Sequence, residues 1–323
     1  MNKHHPASLS IVIPCHNEQE VLAVTHARLT ELSAVWKQQG LISDYELVFV
    51  NNGSTDNTLS ELLNLHEKDK TVVVIDLRKN FGFQGSISAG LFAARNDMVV
   101  SIDADLQDDP TKIADMVRKY DVGFEMVLGV RTERDVDSFF KRWTAHTFYT
   151  LLNRLGVASV YNHADFRLLS QGVVRELERF PERVRYLRSL IFEIEPTYAC
   201  VYYTRRQRTL GKSKFNLSQL VSLAFDGITS FSTLPIRLVS LMGIILFLLS
   251  IVGLLFVLFV KYFSVYDVPG WAFLSIIIFF FGGLQSLSMG IIGEYISKLY
   301  VEAKQRPLYI VRKEYRHGIY PAP

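Results

Sequence analysis

Two acidic residues one position apart, Asp103 and Asp105, follow the apolar run Met98-Val99-Val100-Ser101-Ile102, and Gln107, Asp108 and Asp109 come directly after them. Carboxylates and amides gathered behind a short β-type run form an all-oxygen donor set. Such a set suits a hard divalent cation and the phosphates that the cation bridges. A D-x-D in isolation is as often a solvated turn; its place at the end of a strand gives this one its weight. A second polar cluster, Asn51-Asn52-Gly53-Ser54-Thr55-Asp56, follows the apolar run at 46–50. Other combinations carry less. Cys15-His16 suggests a thiolate pair, but neighbours on an extended segment point to opposite faces, which favours packing. The remaining histidines lack metal-ligand spacing. The turn Pro14-Cys15-His16-Asn17-Glu18 contains no glycine, so the dinucleotide fingerprint G-x-G-x-x-G is missing there, as is any Walker-type G-x-x-x-x-G-K-[ST]. Gly82-Phe83-Gln84-Gly85 is a lone G-x-x-G and reads as a turn leading into a helix.

Elements must hold these clusters in place. Short β-rich runs at 9–13, 46–50, 72–76, 98–102 and 126–129 alternate with amphipathic stretches at 18–38, 58–67, 86–94 and 111–120. That alternation predicts a parallel sheet wrapped by helices. In such sheets ligands bind beyond the carboxyl ends of the strands, where both polar clusters fall.

The C-terminal third has another character. With 49% hydrophobic and 21% charged residues the chain is too apolar for disorder, and a membrane segment is expected. Two cysteines in 323 residues exclude a disulfide-built module. The apolar stretch at 9–13 is too short for a signal-peptide core, so the N-terminal portion is expected to stay on the side where it is made. No charge occurs between Arg237 and Lys261, nor between Asp267 and Glu294. Each run exceeds the roughly 20 residues a helix needs to cross a bilayer, and a pair of buried helices in a soluble core is the weaker alternative. Lys298, Lys304, Arg306, Arg312, Lys313 and Arg316 follow the second run, whereas the intervening loop offers Lys261. The positive-inside rule then places the N-terminal domain and the tail in the cytoplasm. Leu217, Leu220, Val221, Ala224, Phe225 and Ile228 recur at helical spacing and predict an interfacial amphipathic helix before the first crossing. Gly282, Ser286 and Gly290 form a small-xxx-small stripe, from which a homo-oligomer is expected.

The order of motifs resembles glycosyltransferase family 2, and within it the polyprenyl-phosphate enzymes such as the bacterial bactoprenol glucosyltransferases of O-antigen modification. The resemblance rests on Ile11-Val12-Ile13-Pro14-Cys15-His16-Asn17-Glu18, the 51–56 turn, Asp103-Ala104-Asp105-Leu106-Gln107-Asp108, Ala164-Asp165-Phe166-Arg167-Leu168, Arg208-Thr209-Leu210-Gly211-Lys212-Ser213-Lys214-Phe215, Gly293-Glu294-Tyr295-Ile296 and Arg306-Pro307-Leu308-Tyr309. It implies an α/β, GT-A (Rossmann-like) cytoplasmic domain at 1–214 and an interfacial helix at 215–236. A pair of transmembrane helices at 237–293 and a cytoplasmic tail at 294–323 would follow. It also implies transfer of a sugar, glucose from UDP-glucose, with inversion, to undecaprenyl phosphate at the inner (plasma) membrane. Pro14, Asn17, Glu18, Asn51 and Lys79 would bind the nucleotide sugar, with Asp103 on the nucleoside. Asp105 would ligate Mg²⁺ or Mn²⁺ on the diphosphate. Asp165 would be catalytic, as a base or as a positioning group, because a lipid phosphate is largely ionised and needs little deprotonation. Arg208, Ser213 and Lys214 would hold phosphates, within a basic run that also suits lipid headgroups.

Two features depart from the family pattern. Asn51-Asn52 stands where many relatives read Asp-Asp or Asn-Asp, and Lys79-Asn80 replaces Arg-Asn, removing a rigid guanidinium fork. Arg142-Trp143 lacks the glutamine of the processive synthases' Q-x-x-R-W, since Phe139 stands there, and it precedes Asp165. A polysaccharide synthase, or a non-catalytic membrane scaffold or transport subunit, are the alternative readings. No nucleic-acid partner is expected.

Overall fold

A computed structural model describes residues 6–132, 160, 162–180, 182, 187–204, 234–263 and 270–318. The first of two compact units holds residues up to 153, 158–215 and 306–323; the second holds 154–157 and 216–305.

The first unit is built on one eight-stranded sheet. Its elements in chain order are β1 (Leu9–Cys15), α1 (Leu22–Gln38), β2 (Tyr45–Asn51), α2 (Thr58–Lys68), β3 (Val72–Leu77), α3 (Gly82–Ala93), β4 (Met98–Ser101) and α4 (Ile113–Asp121). Then come β5 (Met126–Arg131), β6 (His163–Ser170), α5 (Gln171–Arg179), α6 (Leu187–Ile194), β7 (Ala199–Tyr203) and, far along the chain, β8 (Val311–Tyr315). The strand order is β7-β5-β6-β4-β1-β2-β3-β8. Strands β4, β1, β2 and β3 are mutually parallel. Helices cover both of their faces, so the strands are apolar runs without alternation, buried almost throughout. Ile11, Ile13, Leu47 and Phe49 share a core with Leu22 and Leu29 of α1. Val12 and Val50 point the other way, toward α3. Gly90 of α3 lets that helix settle: a Cβ there would stand 2.2 Å from Val12 Cγ1 and 2.9 Å from Val50 Cγ2.

The five strands expected from the sequence are all present, but the sheet is mixed rather than wholly parallel. β6 runs antiparallel to both β4 and β5, and β8 runs antiparallel to β3. The antiparallel insertion of β6 carries Asp165 and Arg167 to the neighbourhood of the β4 end. The sequence reading began α1 at residue 18; the helix starts at Leu22, because the Glu18 amide donates to Thr58 Oγ1 and holds a turn instead.

In the second unit two long helices, α7 (Leu234–Phe263) and α8 (Trp271–Ala303), make contact with each other. They bear exposed apolar side chains, among them Leu248, Val252 and Leu255 on α7 and Ile278, Leu287 and Met289 on α8. Among the described residues no helix is long and apolar enough to cross a membrane. The amphipathic stretch at 215–231 lies outside the described residues.

Candidate active site

Three loops meet at the carboxyl ends of β1, β2 and β3. The Asn52 amide donates to the Cys15 carbonyl at 2.9 Å. Asn17, in the left-handed region at φ 56°, donates its amide to Ser54 Oγ at 3.1 Å and accepts from the Thr55 amide at 2.8 Å. His16 accepts from Asn80 Nδ2 at 3.1 Å through Nε2, which leaves Nδ1 to donate to the Asn52 carbonyl at 3.0 Å. The Cys15 thiol is buried and pushed up by burial, then by Glu18 and Asp56, which disfavours the thiolate and suits a packing role.

The Asn51-Asn52 departure has a structural reason. Asn51 Nδ2 donates to Asp76 Oδ1 at 2.7 Å, and its Oδ1 accepts from the Ser54 amide at 3.3 Å. An aspartate at 51 would set two buried carboxylates against each other. Asn52 donates to Asn80 Oδ1 and to the Gly82 carbonyl, both at 3.1 Å, and accepts from the Phe81 amide at 2.9 Å. Both amides brace the loops. Lys79 is exposed, with Nζ 5.2 Å from the Phe81 ring centroid.

Gly53 is fixed by two constraints. Its φ is 60°, and a Cβ would sit 2.3 Å from the Lys79 carbonyl carbon and 2.4 Å from the Asn80 nitrogen. Because both obstacles are backbone, Gly53→Ala should cost about 2 kcal/mol or more of stability and displace the Lys79 loop. Thermal unfolding of the purified chain measures this; an unchanged midpoint would contradict the close approach.

The second half of the mouth is acidic. Asp103 follows β4, and its carboxyl is pushed up to about 7 by burial, with repulsion from Asp108, Asp165 and Asp105 adding to it. Asp105 is half-buried and accepts from the Gln107 amide at 3.2 Å. Asp108 is buried and forked by Arg131, whose Nε and Nη2 donate at 3.3 and 3.2 Å, with Tyr203 Oη also 3.3 Å from Nε. The donor set is all oxygen and net acidic, which fits a hard divalent cation. Among the described residues no three His, Cys, Asp or Glu side chains converge on one point. An ion at this mouth would therefore complete its shell from a diphosphate and water.

Asp165 is held by two guanidiniums. Arg167 Nη2 bonds Oδ1, while Arg188 donates from Nη2 to Oδ2 at 2.8 Å and from Nε to Oδ1 at 3.3 Å. Ser101 Oγ donates to the Asp165 carbonyl. Burial acts to raise the Asp165 carboxyl, but Arg188 and then Arg167 outweigh it and hold it well below the usual carboxylate range. Arg167 also donates to the Leu187 carbonyl at 3.2 Å, which fixes the start of α6 and so the position of Arg188. The Arg167 side chain is 2% exposed and that of Arg188 is 24%. Only the latter of the two reaches solvent.

The structure thus brings Asn17 and Asn51 into one braced cluster. Asp103 and Asp165 share an electrostatic field with Asp105 and Asp108. Pro14 and Glu18 lie half-buried on the same loop as Asn17. Arg208, Ser213 and Lys214 lie outside the described residues. Sequence reasoning missed Arg188, Arg131 and the bracing role of Asp76. Arg167 had a signal: a charge inside the buried run Phe166-Arg167-Leu168-Leu169 must be paired.

An acidic strand-end mouth beside loops that replace the glycine-rich phosphate turn defines a group-transfer enzyme of the GT-A kind. The chain belongs to glycosyl transferase family 2, whose family model matches residues 10–178. It is a glycosyltransferase. It is 45% identical to the uncharacterized glycosyltransferase YkoT of Bacillus subtilis (strain 168), over 94% of this chain and 90% of that protein. It is 37% identical to the SfII prophage-derived bactoprenol glucosyl transferase of Shigella flexneri, over 95% of this chain and 98% of that one. Among solved structures, glucosyl-3-phosphoglycerate synthase from Mycobacterium tuberculosis in complex with uridine-diphosphate is similar at a TM-score of 0.49 and 18% identity. That match covers 70% of this chain and 79% of the other.

Proposed function

We propose that the chain transfers one glucose from UDP-glucose to undecaprenyl phosphate at the cytoplasmic face of the plasma membrane, with inversion, giving a lipid-linked sugar. The bond from C1 to the donor diphosphate breaks, a bond from C1 to an acceptor phosphate oxygen forms, and nucleoside diphosphate leaves with the electron pair. The observation that carries this reading is Asp165 clamped by two guanidiniums. A carboxylate held ionised by arginines is a poor base but a good anchor, and a lipid phosphate acceptor needs little deprotonation. Asp165 orients Arg188, whose partly exposed guanidinium would be the group that meets a phosphate. Asp103 and the 14–18 and 51–56 loops hold the nucleoside. Asp105 would hold Mg²⁺ or Mn²⁺, which when bound stabilises charge on the leaving diphosphate. The relatives named for bactoprenol glucosyl transfer support the choice of acceptor and sugar.

Helices α7 and α8, with 30 and 33 residues, would be about 45 and 50 Å long, against a bilayer core of roughly 30 Å. Their charge-free runs and exposed apolar side chains support a transmembrane pair, and the basic residues after α8 support a cytoplasmic sheet domain. Among the described residues nothing stands within 4 Å of where a Cβ would be at Gly282 or Gly290, which leaves that stripe open for a second copy.

The test is nucleoside diphosphate release from a panel of sugar nucleotides, with and without polyprenyl phosphate. Release is expected with UDP-glucose and only in the presence of the lipid phosphate. Release independent of the lipid, or a polymeric product, would overturn the acceptor assignment.

A further inference from the structure

Strand β8 follows both long helices in sequence; Arg312, Lys313 and Glu314 at its centre are charged, and the strand is mostly exposed. Asp76 of β3 pairs with Lys313, and Leu77 pairs with Val311. Arg312 is therefore the extra residue of a bulge, a device that re-aims a side chain beside functional sites. Its guanidinium turns over the carboxyl end of β3. Nη1 stands 3.5 Å from Asp76 Oδ2, and Nη2 donates to the Arg78 carbonyl at 3.1 Å. The Arg78 amide donates to the Ile310 carbonyl at 3.0 Å, so backbone and side chain lock the same corner. The Asp76 side chain is 2% exposed, and a buried carboxylate needs compensation.

From Asp76 the contacts continue into the mouth. Asp76 accepts from Asn51, Asn51 accepts from the Ser54 amide, Ser54 Oγ accepts from the Asn17 amide, and Asn17 accepts from the Thr55 amide. Every link joins residues far apart in sequence except those within the 51–55 turn. Resting on the reading of these loops as the nucleotide cradle, we propose that Arg312 is a positioning residue for the donor. It compensates Asp76, Asp76 fixes the Asn51 amide, and Asn51 sets the turn that carries the cradle. Arg312 touches no reacting atom, so its effect falls on donor binding and not on the chemical step.

The experiment uses the full chain purified in detergent. Calorimetry measures uridine diphosphate binding with Mg²⁺, and steady-state kinetics vary the sugar nucleotide. Arg312→Gln should raise both the nucleotide Kd and the donor KM on the order of tenfold, with kcat changed by less than about twofold. Arg312→Lys should recover most of the affinity, because the charge returns. Adding Asp76→Asn to Arg312→Gln should also restore it, because no buried charge is then left uncompensated while Asn51 keeps an acceptor. A strand that merely holds the fold together would give a lower unfolding temperature without this rescue. If Arg312→Gln lowers kcat and leaves Kd and KM unchanged, or if neither second variant recovers affinity, the proposal fails. Wild-type protein that binds neither uridine nor guanosine diphosphate would overturn the donor reading itself. Wild-type binding matched by Arg312→Gln would overturn only the role of Arg312.

Discussion

Asp165→Asn is expected to lower kcat by about 10²–10³-fold and to leave the shape of the pH–rate profile unchanged. Both halves of the result follow from the two guanidiniums. If Asp165 took a proton from the acceptor, its own titration would shape the acid limb of the profile, and the variant would lose that limb. Arg188 and Arg167 instead keep the carboxyl ionised far below working pH, so its proton affinity is too small for that task. What the variant loses is the anchor on Arg188, whose Nη2 and Nε both donate to Asp165. Arg188→Ala should then fall by a similar factor, and the double variant little further, since the two residues act as one unit. Arg188→Lys should recover little, because a point charge cannot reproduce the planar fork. Single-turnover rates across pH 5–9 decide between the two roles. Full activity in Arg188→Ala, or an acid limb present in the wild type and missing from Asp165→Asn, would restore Asp165 as the base.

Asp105→Asn is expected to reduce turnover by at least about a hundredfold, and wild-type turnover should stop in excess chelator and return with Mg²⁺ or Mn²⁺. Burial, with repulsion from Asp108, Asp165 and Asp105 adding to it, pushes the Asp103 carboxyl up to about 7, so the mouth is a place where a cation relieves crowded negative charge. Asparagine at 105 keeps the size and one oxygen but removes a charge, so it tests electrostatics more than shape. Calorimetry gives a readout apart from turnover: uridine diphosphate should bind the wild type more tightly with Mg²⁺ present, and the variant should show little such gain. Undiminished turnover in chelator would sink the assignment of Asp105.

The parts of this molecule most legible in its sequence were those whose environment is uniform. Strands β1 to β4 are buried on both faces, so each is a continuous apolar run, and the polar residues at their ends announce the mouth. Asp103 and Asp105 could be singled out because position after a strand is a local property. β8 could not, because Val311-Arg312-Lys313-Glu314-Tyr315 is a charged edge strand whose identity depends on β3, far away in sequence. Arg188 was hidden for the same reason: the fold, not spacing, delivers it to Asp165. Asn51-Asn52 looked like a weakened nucleotide motif until Asp76 supplied the missing carboxylate from the next strand.

The pairing of Leu77 with Val311 also bears on how the molecule is made. Those residues are separated by roughly 230 positions, among the costliest kinds of contact for a chain to find. At a synthesis rate of about 5–20 residues per second, the outer edge of β3 stays bare for tens of seconds after it emerges. Throughout that interval β3, with the β-prone run Val72 to Ile75, offers unpaired amides and carbonyls to any passing strand. Closure of that edge comes only after both long hydrophobic helices have left the ribosome, so biogenesis has a built-in order: the sheet is sealed last, by the segment that follows α8.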